Sequence, residues 1–325
     1  MKIAVVIPSF RVRKQILTVL SAIGPEVSRI FVVDDKCPEN SGSFVRENCR
    51  DPRVQVIFQK ENSGVGGATL RGFLEAGAQG YQVAVKLDGD GQMDPKLIPL
   101  LVRPILEGKA DYTKGNRFHS PRNLKGMPTT RLLGNAGLSF FAKMATGYWN
   151  VMDPTNGFLA LHTSLLPHLD AEKIAQRYFF ENDLLFRLGL CRAVVTDMPM
   201  RAHYGEEKSN LSVVNSLITF PFRLLLRFLK RMIYRYFLRD FNIGSVLILM
   251  GGFLFASGSI FGAYHWILSA VTGQVASSGA VMISALPILL GFQMLGFALL
   301  FDVWMTPREP VHPYFAAEAQ AETSP

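Results

Sequence analysis

The chain has 325 residues, 49% of them hydrophobic and 18% charged, with a net charge of +8 and a mean hydropathy of +0.19. It is too long for a disulfide-stapled miniprotein, too apolar for a disordered chain, and less charged than the roughly one quarter usual in soluble domains. Three cysteines, Cys37, Cys49 and Cys191, are too few and too irregularly spaced for a disulfide framework or a zinc site, and they suit a reducing compartment.

Lys2–Pro8 is a short apolar run stopped by proline and reads as a buried parallel strand. Lys14–Ile23 reads as a helix, and Ile30–Asp35 as a second strand ending in two carboxylates, Asp34 and Asp35. Val54–Phe58 is a third strand. Asn62-Ser-Gly64-Val-Gly66-Gly67 then opens a helix that runs to about Ala78. Val83–Leu87 is a fourth strand, ending in Asp88-Gly-Asp90-Gly-Gln92. This order predicts an α/β fold with a mainly parallel sheet. Ligands of such sheets gather outside the carboxyl ends of the strands, so the acids at 34, 35, 88 and 90 should converge on one crevice.

If residues 88–92 stay near-extended, Asp88, Asp90 and Gln92 face one side. Two carboxylates and an amide oxygen suit Mg²⁺ or Mn²⁺, whose shell substrate phosphates would complete. A calcium loop or a plain turn are the alternatives, although the third acid and the glutamate of a calcium loop are missing. The glycine-rich stretch at 62–67 is neither a P-loop nor a dinucleotide fingerprint, and reads equally as a helix-opening turn or a substrate contact. Glu181 and Asp183 are candidates for a general base, should the acceptor be a hydroxyl, or for acids at a helix N-terminus. Asp153, before Pro154, also fits a turn. His119 and His203 have no metal-ligand spacing.

From Phe241 to Phe301 there is no Asp, Glu, Lys or Arg, far beyond the about 20 residues one bilayer crossing needs. A polar break at 273–279 divides the stretch into two expected spans, about 243–270 and 279–303, with a buried core hairpin as the alternative. Ser212–Asp240 carries Arg223, Arg227, Lys230, Arg231, Arg235 and Arg239 against Asp240, a net +5 of the chain's +8. Apolar residues recur there at helical spacing, so the segment reads as a basic amphipathic helix at an anionic headgroup layer. Basic flanks stay cytoplasmic, which places both termini in the cytoplasm, the inner membrane of a bacterium being the expected location. Met1–Phe10 lacks the pattern of a signal peptide. The basic balance thus belongs to a membrane, and nucleic acid is not an expected partner.

Taken together, these residues resemble the family 2 glycosyltransferases, in the branch that uses polyprenyl phosphates, over about Ile3 to Leu211. Val6-Ile-Pro8-Ser-Phe10 and Val32-Val-Asp34-Asp35 resemble the two opening strand ends, Asn62-Ser-Gly64 the helix start, and Asp88-Gly-Asp90-Gly-Gln92 the metal motif. Gly115-Asn-Arg117-Phe118 and Arg131 resemble the acceptor-phosphate arginines, and Asp153-Pro-Thr-Asn-Gly157-Phe158 the acceptor-side loop. There are departures: Arg11 and Val12 stand where the family has Asn-Glu, and Arg201 and Lys208 sit in a rearranged late motif.

The resemblance implies a GT-A fold at 1–211, juxtamembrane helices at 212–240, a transmembrane hairpin at 241–305 and a tail at 306–325. It implies an inverting transfer of sugar from a UDP- or GDP-type donor to a polyprenyl phosphate. Pro8, Ser9, Phe10, Asp34, Asp35, Gly64, Arg201 and Lys208 would hold the donor, with Asp88, Asp90 and Gln92 on Mg²⁺ or Mn²⁺, and Arg117 and Arg131 would hold the acceptor. Some members with two C-terminal spans assemble as tetramers, so a homo-oligomer is expected. A hydroxyl acceptor in polysaccharide or glycolipid synthesis, and a non-catalytic nucleotide-binding scaffold, are the competing readings.

Overall fold

The computed structural model describes residues 1–119, 129–200 and 213–323. Seven strands form one sheet: β1 (Ile3–Ser9), β2 (Arg29–Asp34), β3 (Val54–Phe58), β4 (Val83–Lys86), β5 (Tyr112–Asn116), β6 (Leu159–His162) and β7 (Val195–Pro199). Their spatial order is β3-β2-β1-β4-β6-β5-β7. The first four are parallel, as expected. β6 runs antiparallel to both β4 and β5, while β5 and β7 are parallel. The second half of the sheet, not assigned to strands from sequence, thus carries the one reversal.

Why these segments are strands is visible in β1, whose seven residues are all buried. Alternate side chains feed two cores: Ala4 and Val6 join one layer, and Ile3, Val5 and Ile7 the other. A strand covered on both faces cannot alternate with polar residues. The covering helices include α1 (Ile16–Ser21), α2 (Ser41–Asn48), α3 (Gly64–Ala78), α4 (Ile98–Leu106), α5 (Thr129–Thr146) and α6 (Phe180–Leu190). α2 escapes a sequence reading because it is short and begins Ser-Gly-Ser, poor helix formers. Gly72 of α3 has a packing reason: a methyl there would strike the Val6 side chain.

The chain divides into two compact units, one of Met1–Phe228 with Pro307–Pro325, the other Leu229–Thr306. Within the first, the returning tail is tied down at Asp111. Its carboxylate accepts the Val311 and His312 backbone N–H groups at 2.9 and 2.7 Å and lies 2.8 Å from His312 Nδ1. Phe315 of α10 (His312–Thr323) stacks on His168 at 3.8 Å.

The second unit is a helical hairpin of α8 (Ile243–Thr272) and α9 (Ser278–Trp304), close to the expected spans. Asn242 caps α8 through the Gly244 N–H, and Gly273 ends it in the left-handed region. Small residues let the helices approach: a methyl at Gly291 would lie 2.5 Å from Phe255 N. Both are long and apolar enough to cross a membrane, and only 11% of each apolar window is buried. Phe253, Ile260 and Trp266 point outward, each more than two-thirds exposed. A core hairpin would bury such residues, so the two exposed apolar helices support localisation at a membrane and not that alternative.

The end of α7 (Val213–Ile233) and the wider π-helical turn Tyr234–Arg239 belong to this unit too. Here the structure corrects one expectation. Arg231 is not offered to headgroups: it is 1% exposed and bonds Asp302 of α9 bidentately, at 2.7 and 2.9 Å. Arg235 and the Tyr236 hydroxyl reach the same carboxylate at 3.4 and 2.7 Å. A charge buried this deeply is retained only when paired and hydrogen-bonded.

Candidate active site

β1 and β2 end side by side, and their carboxylates shape the loops beyond. Asp34, 4% exposed, accepts the Cys37 N–H on one oxygen (2.9 Å) and the Gly42 N–H at the start of α2 on the other (2.6 Å). Asp35, 2% exposed, accepts the Ser63 N–H on one oxygen and the Gly64 N–H on the other, both at 2.8 Å. Burial pushes the Asp35 carboxyl up, against the lowering effect of those amides. Both acids are thus held in place by backbone amides, one N–H on each oxygen. Pro8 and Ser9 are buried at the end of β1, where Ser9 accepts the Asp35 N–H on its carbonyl, and Phe10 is exposed beyond it.

The glycines at 64–67 also find a reason. A methyl at Gly64 would lie 3.0 Å from the Gln176 carbonyl, and one at Gly66 would lie 2.6 Å from Phe180 Cβ. Gly67 N–H donates to that same Gln176 carbonyl at 2.9 Å. The loop is glycine-rich so that the segment before α6 can close on the start of α3. Packing thus gives these glycines a reason beyond the two sequence alternatives, a helix-opening turn and a substrate contact.

β4 ends at Lys86, and the chain turns at 89–90 with Gly91 in the left-handed region. Residues 88–92 are therefore a turn and not the extended run expected, so strand alternation does not align Asp88, Asp90 and Gln92. Asp90 Oδ1 accepts the Gln92 N–H at 3.0 Å. Asp88 and Asp90 are only part-buried, and such hard oxygen donors beside side-chain-free backbone fit Mg²⁺ or Mn²⁺. Among the described residues no three His, Cys, Asp or Glu gather as a metal cluster.

Facing this turn is the loop that carries Asp153. Arg117, just past β5, donates to Asp153 bidentately, Nε to Oδ2 at 2.7 Å and a terminal nitrogen to Oδ1 at 2.9 Å. Asn156 Nδ2 reaches Asp153 Oδ2 at 3.3 Å, and the Asn156 carbonyl oxygen of the side chain accepts the Phe158 N–H at 2.9 Å. Asp153 is therefore the hub of an ordered loop, beyond a plain turn residue. A methyl at Gly157 would lie 2.5 Å from Lys86 Nζ and 3.0 Å from Asp88 Oδ2. The loop backbone thus rests against the Asp88 carboxylate.

Glu181 and Asp183 lie in the first turn of α6 but cap nothing there. Asp183 is fully buried, accepting the Ala175 N–H at 2.8 Å and Arg227 Nε of α7 at 2.6 Å. It is an anchor, and the general-base candidacy fails on access. Glu181 is 3.5 Å from Lys86 Nζ. Arg131 falls in the first turn of α5, but its side chain lies outside the described residues, as do Arg201 and Lys208 entirely. Sequence reading missed Lys86 and Lys114, buried lysines on β4 and β5. Lys86 holds Asp88 Oδ1 at 2.7 Å, and Lys114 donates to the Pro154 carbonyl at 2.7 Å. The available signal was, for Lys86, a lone cation closing the apolar run Val83-Ala-Val85; Lys114 sits in the polar Tyr112-Thr-Lys-Gly-Asn116 and carried none. A cavity of about 690 Å³ lies elsewhere, beside Tyr81, Gln82 and His162 at the opposite end of β4.

Relatives sharpen the picture. The chain is 30% identical over 218 residues to a UDP-N-acetylglucosamine–dolichyl-phosphate N-acetylglucosaminyltransferase of Methanococcus voltae, covering 63% of this chain and 86% of that one. It is 26% identical over 225 residues to an undecaprenyl-phosphate mannosyltransferase of Micrococcus luteus, covering 67% and 91%. In fold it is similar to glucosyl-3-phosphoglycerate synthase of Mycobacterium tuberculosis, solved with Mg²⁺ and UDP, at a TM-score of 0.51 and 21% identity over 71% of this chain and 79% of that one. The α/β unit is thus a GT-A fold. Residues 4–169 match the model of glycosyl transferase family 2, and the chain is a glycosyltransferase belonging to that family.

Proposed function

We propose that the protein moves a sugar from a nucleoside-diphosphate donor to a polyprenyl phosphate at a membrane surface, with inversion. The carrying observation is the contact between the Gly157 backbone and Asp88, because it brings the acceptor-side loop against the carboxylate that serves the donor. The named activities of the two curated relatives, both transfers to polyprenyl phosphates, support the same reading.

A divalent ion held by Asp88 and Asp90, with Gln92 beside them, would supply Lewis-acid stabilisation to the departing diphosphate. The chain's own residues do the rest. Asp34 and Asp35 set the shelf under the nucleoside, with Pro8, Ser9, Phe10 and Gly64 around it. Arg201 and Lys208 are assigned to the donor phosphates. A phosphate monoester acceptor has a second pKa near 6 and is already mostly dianionic at neutral pH. It needs no base, in keeping with Asp183 being buried and Glu181 being paired to Lys86. It does need cations that let two anions approach, and Arg117 and Arg131 are assigned that task; guanidinium matches phosphate bidentately. Asp153 fixes the Arg117 fork in the loop wall, where a lipid phosphate would share it.

Because the tail Pro307–Pro325 rejoins the unit that holds residues 1–228, both spans return the chain to the side it left. That supports a hairpin with catalytic unit and tail on one face, and the basic flank at 223–239 assigns that face to the cytoplasm. Membranes containing the full chain, incubated with labelled UDP- and GDP-sugars, Mg²⁺ or Mn²⁺, and undecaprenyl or dolichyl phosphate, test the reading. An organic-soluble, acid-labile product is expected. Transfer only to glycan, or nucleotide binding without turnover, overturns it.

A further inference from the structure

Lys86 has no part in the chemistry assigned above, yet it sits at its centre. It closes β4, a strand otherwise of Val, Ala and Val, and its side chain is 1% exposed. Three acceptors surround the ammonium: Asp88 Oδ1 at 2.7 Å, the Gly157 carbonyl at 3.3 Å and Glu181 Oε1 at 3.5 Å. An ammonium has three donors, so this set can satisfy it fully. Gly157 has no room for a side chain because Lys86 and Asp88 fill the space. The lysine is thus built into the site and does not merely approach it.

Electrostatics gives this placement a consequence. A divalent ion seeking Asp88 meets an ammonium already on one carboxylate oxygen, in a partly desolvated place where repulsion between cations is poorly screened. An ion that arrives with a nucleoside diphosphate brings the negative charge that offsets this repulsion. We infer that Lys86 is a resident counter-cation of Asp88, which makes cation binding at Asp88 and Asp90 conditional on the nucleotide diphosphate. By pinning Asp88 to Gly157 it also acts as a positioning residue, aligning the donor-side acid with the acceptor loop before substrates bind. This rests on the reading that Asp88 and Asp90 hold the metal.

The test is Mn²⁺ binding to the full chain in detergent, followed by electron paramagnetic resonance with and without UDP or GDP. The wild type should bind the ion weakly alone and much better with nucleotide. Lys86→Met should bind the ion alone roughly tenfold more tightly, by losing the repulsion. It should shrink the gain from nucleotide by the same factor while turnover falls and the donor KM changes little. Lys86→Arg, which keeps the charge, should hold ion-only affinity at the wild-type level. A purely structural lysine predicts that Lys86→Met weakens ion binding or leaves it alone, and either result overturns the proposal. Should Lys86→Met not fold, Glu181→Gln serves instead. With one acceptor weakened, Lys86 sits more firmly on Asp88, so ion-only affinity should fall severalfold and nucleotide-dependent affinity less; unchanged values overturn the proposal. Asp90→Ala separates the two levels. If that variant keeps nucleotide-dependent Mn²⁺ binding, the metal assignment fails and the role of Lys86 falls with it. If it loses that binding while Lys86→Met shows no gain, the inference about Lys86 alone fails.

Discussion

The two halves of the sheet hold their carboxylates in different ways. Beyond β1 and β2, Asp34 and Asp35 are gripped by backbone amides of Cys37, Gly42, Ser63 and Gly64. Beyond β4 and β5, and at the start of α6, Asp88, Asp153 and Asp183 are gripped by Lys86, Arg117 and Arg227. An amide is fixed by the fold around it and cannot leave. A cationic side chain can rotate away or give place to another cation. The first arrangement suits a rigid shelf; in the second, Asp88 and Asp153 stand where charged ligands would enter and leave, while Asp183 is a buried anchor.

The hardest test on the second side is to remove Asp90, the carboxylate assigned to the metal beside Asp88 in the turn after β4. Asp90→Ala should lower sugar transfer by at least about a thousandfold, since the leaving-group charge then loses its main stabilisation. Expression and membrane insertion should persist, checked by quantifying the protein in the membrane fraction. A variant with more than a tenth of wild-type turnover would remove Asp90 from the reaction. Next in size is Asp183→Ala, which strips a fully buried acid from Arg227 and the Ala175 N–H. Arg227 is partly exposed and can turn to water, so losing this charge-assisted pair and the Ala175 acceptor should cost about 2–3 kcal/mol, and a melting temperature lowered by several degrees should report it. Asp34→Asn is the amide-side counterpart. Its remaining carbonyl oxygen still accepts one N–H, so the loss should be about 1–2 kcal/mol. Equal losses at the two positions would erase the distinction between the halves.

How much of this was legible beforehand follows the same division. The amide-held acids bind neighbours in sequence or at the very next strand end, and the strand–turn–helix pattern around them is strongly periodic. β1 to β4 and the hairpin were accordingly placed to within a few residues. Ion pairs join residues far apart: Arg117 to Asp153, Arg227 to Asp183 and Arg231 to Asp302. Nothing local marks Arg231 as buried, because helical spacing alone puts it on a basic face that water or headgroups could equally cover. Asp302 was visible only as the first charge after the apolar stretch. At 88–92 the sequence leaves an extended run and a plain turn both open, because Gly89 and Gly91 allow a strand end and a left-handed turn equally; the turn is what forms. The tail's return to Asp111 lay beyond any periodic signal.

Arg117 tests whether the ligand-facing half does more than brace a loop. Arg117→Ala should raise the KM for polyprenyl phosphate by about tenfold, as expected for one charge-assisted bidentate contact, with the donor KM little changed. A fall in turnover with both KM values intact would make Arg117 only the brace of Asp153.

The smallest expected effect concerns Lys114 on β5 and Asp197 on β7, opposite each other in the register. Burial is the main cause at both, pushing Lys114 down to about 8 and Asp197 up to about 6. Asp197 Oδ2 accepts the Met152 N–H at 2.7 Å, while Oδ1 is buried without a hydrogen-bond partner. An acid whose native value lies above its unfolded one keeps its proton longer in the folded chain. Its contribution to stability is therefore present below about pH 4 and lost as pH rises towards 6. The two-unit difference corresponds to at most about 3 kcal/mol, and partial exposure reduces it to about 1–2 kcal/mol. Lys114 acts at the other end: native stability should recover as pH rises from about 8 towards 10.5, where the unfolded lysine would otherwise hold its proton. Melting curves of the full chain in detergent at pH 5 and pH 7.5 should show the decline in wild type and its loss in Asp197→Asn. If the variant keeps the wild-type slope, Lys114 holds Asp197 ionised throughout, and the pair on β5 and β7 joins the permanently charged contacts of that half of the sheet.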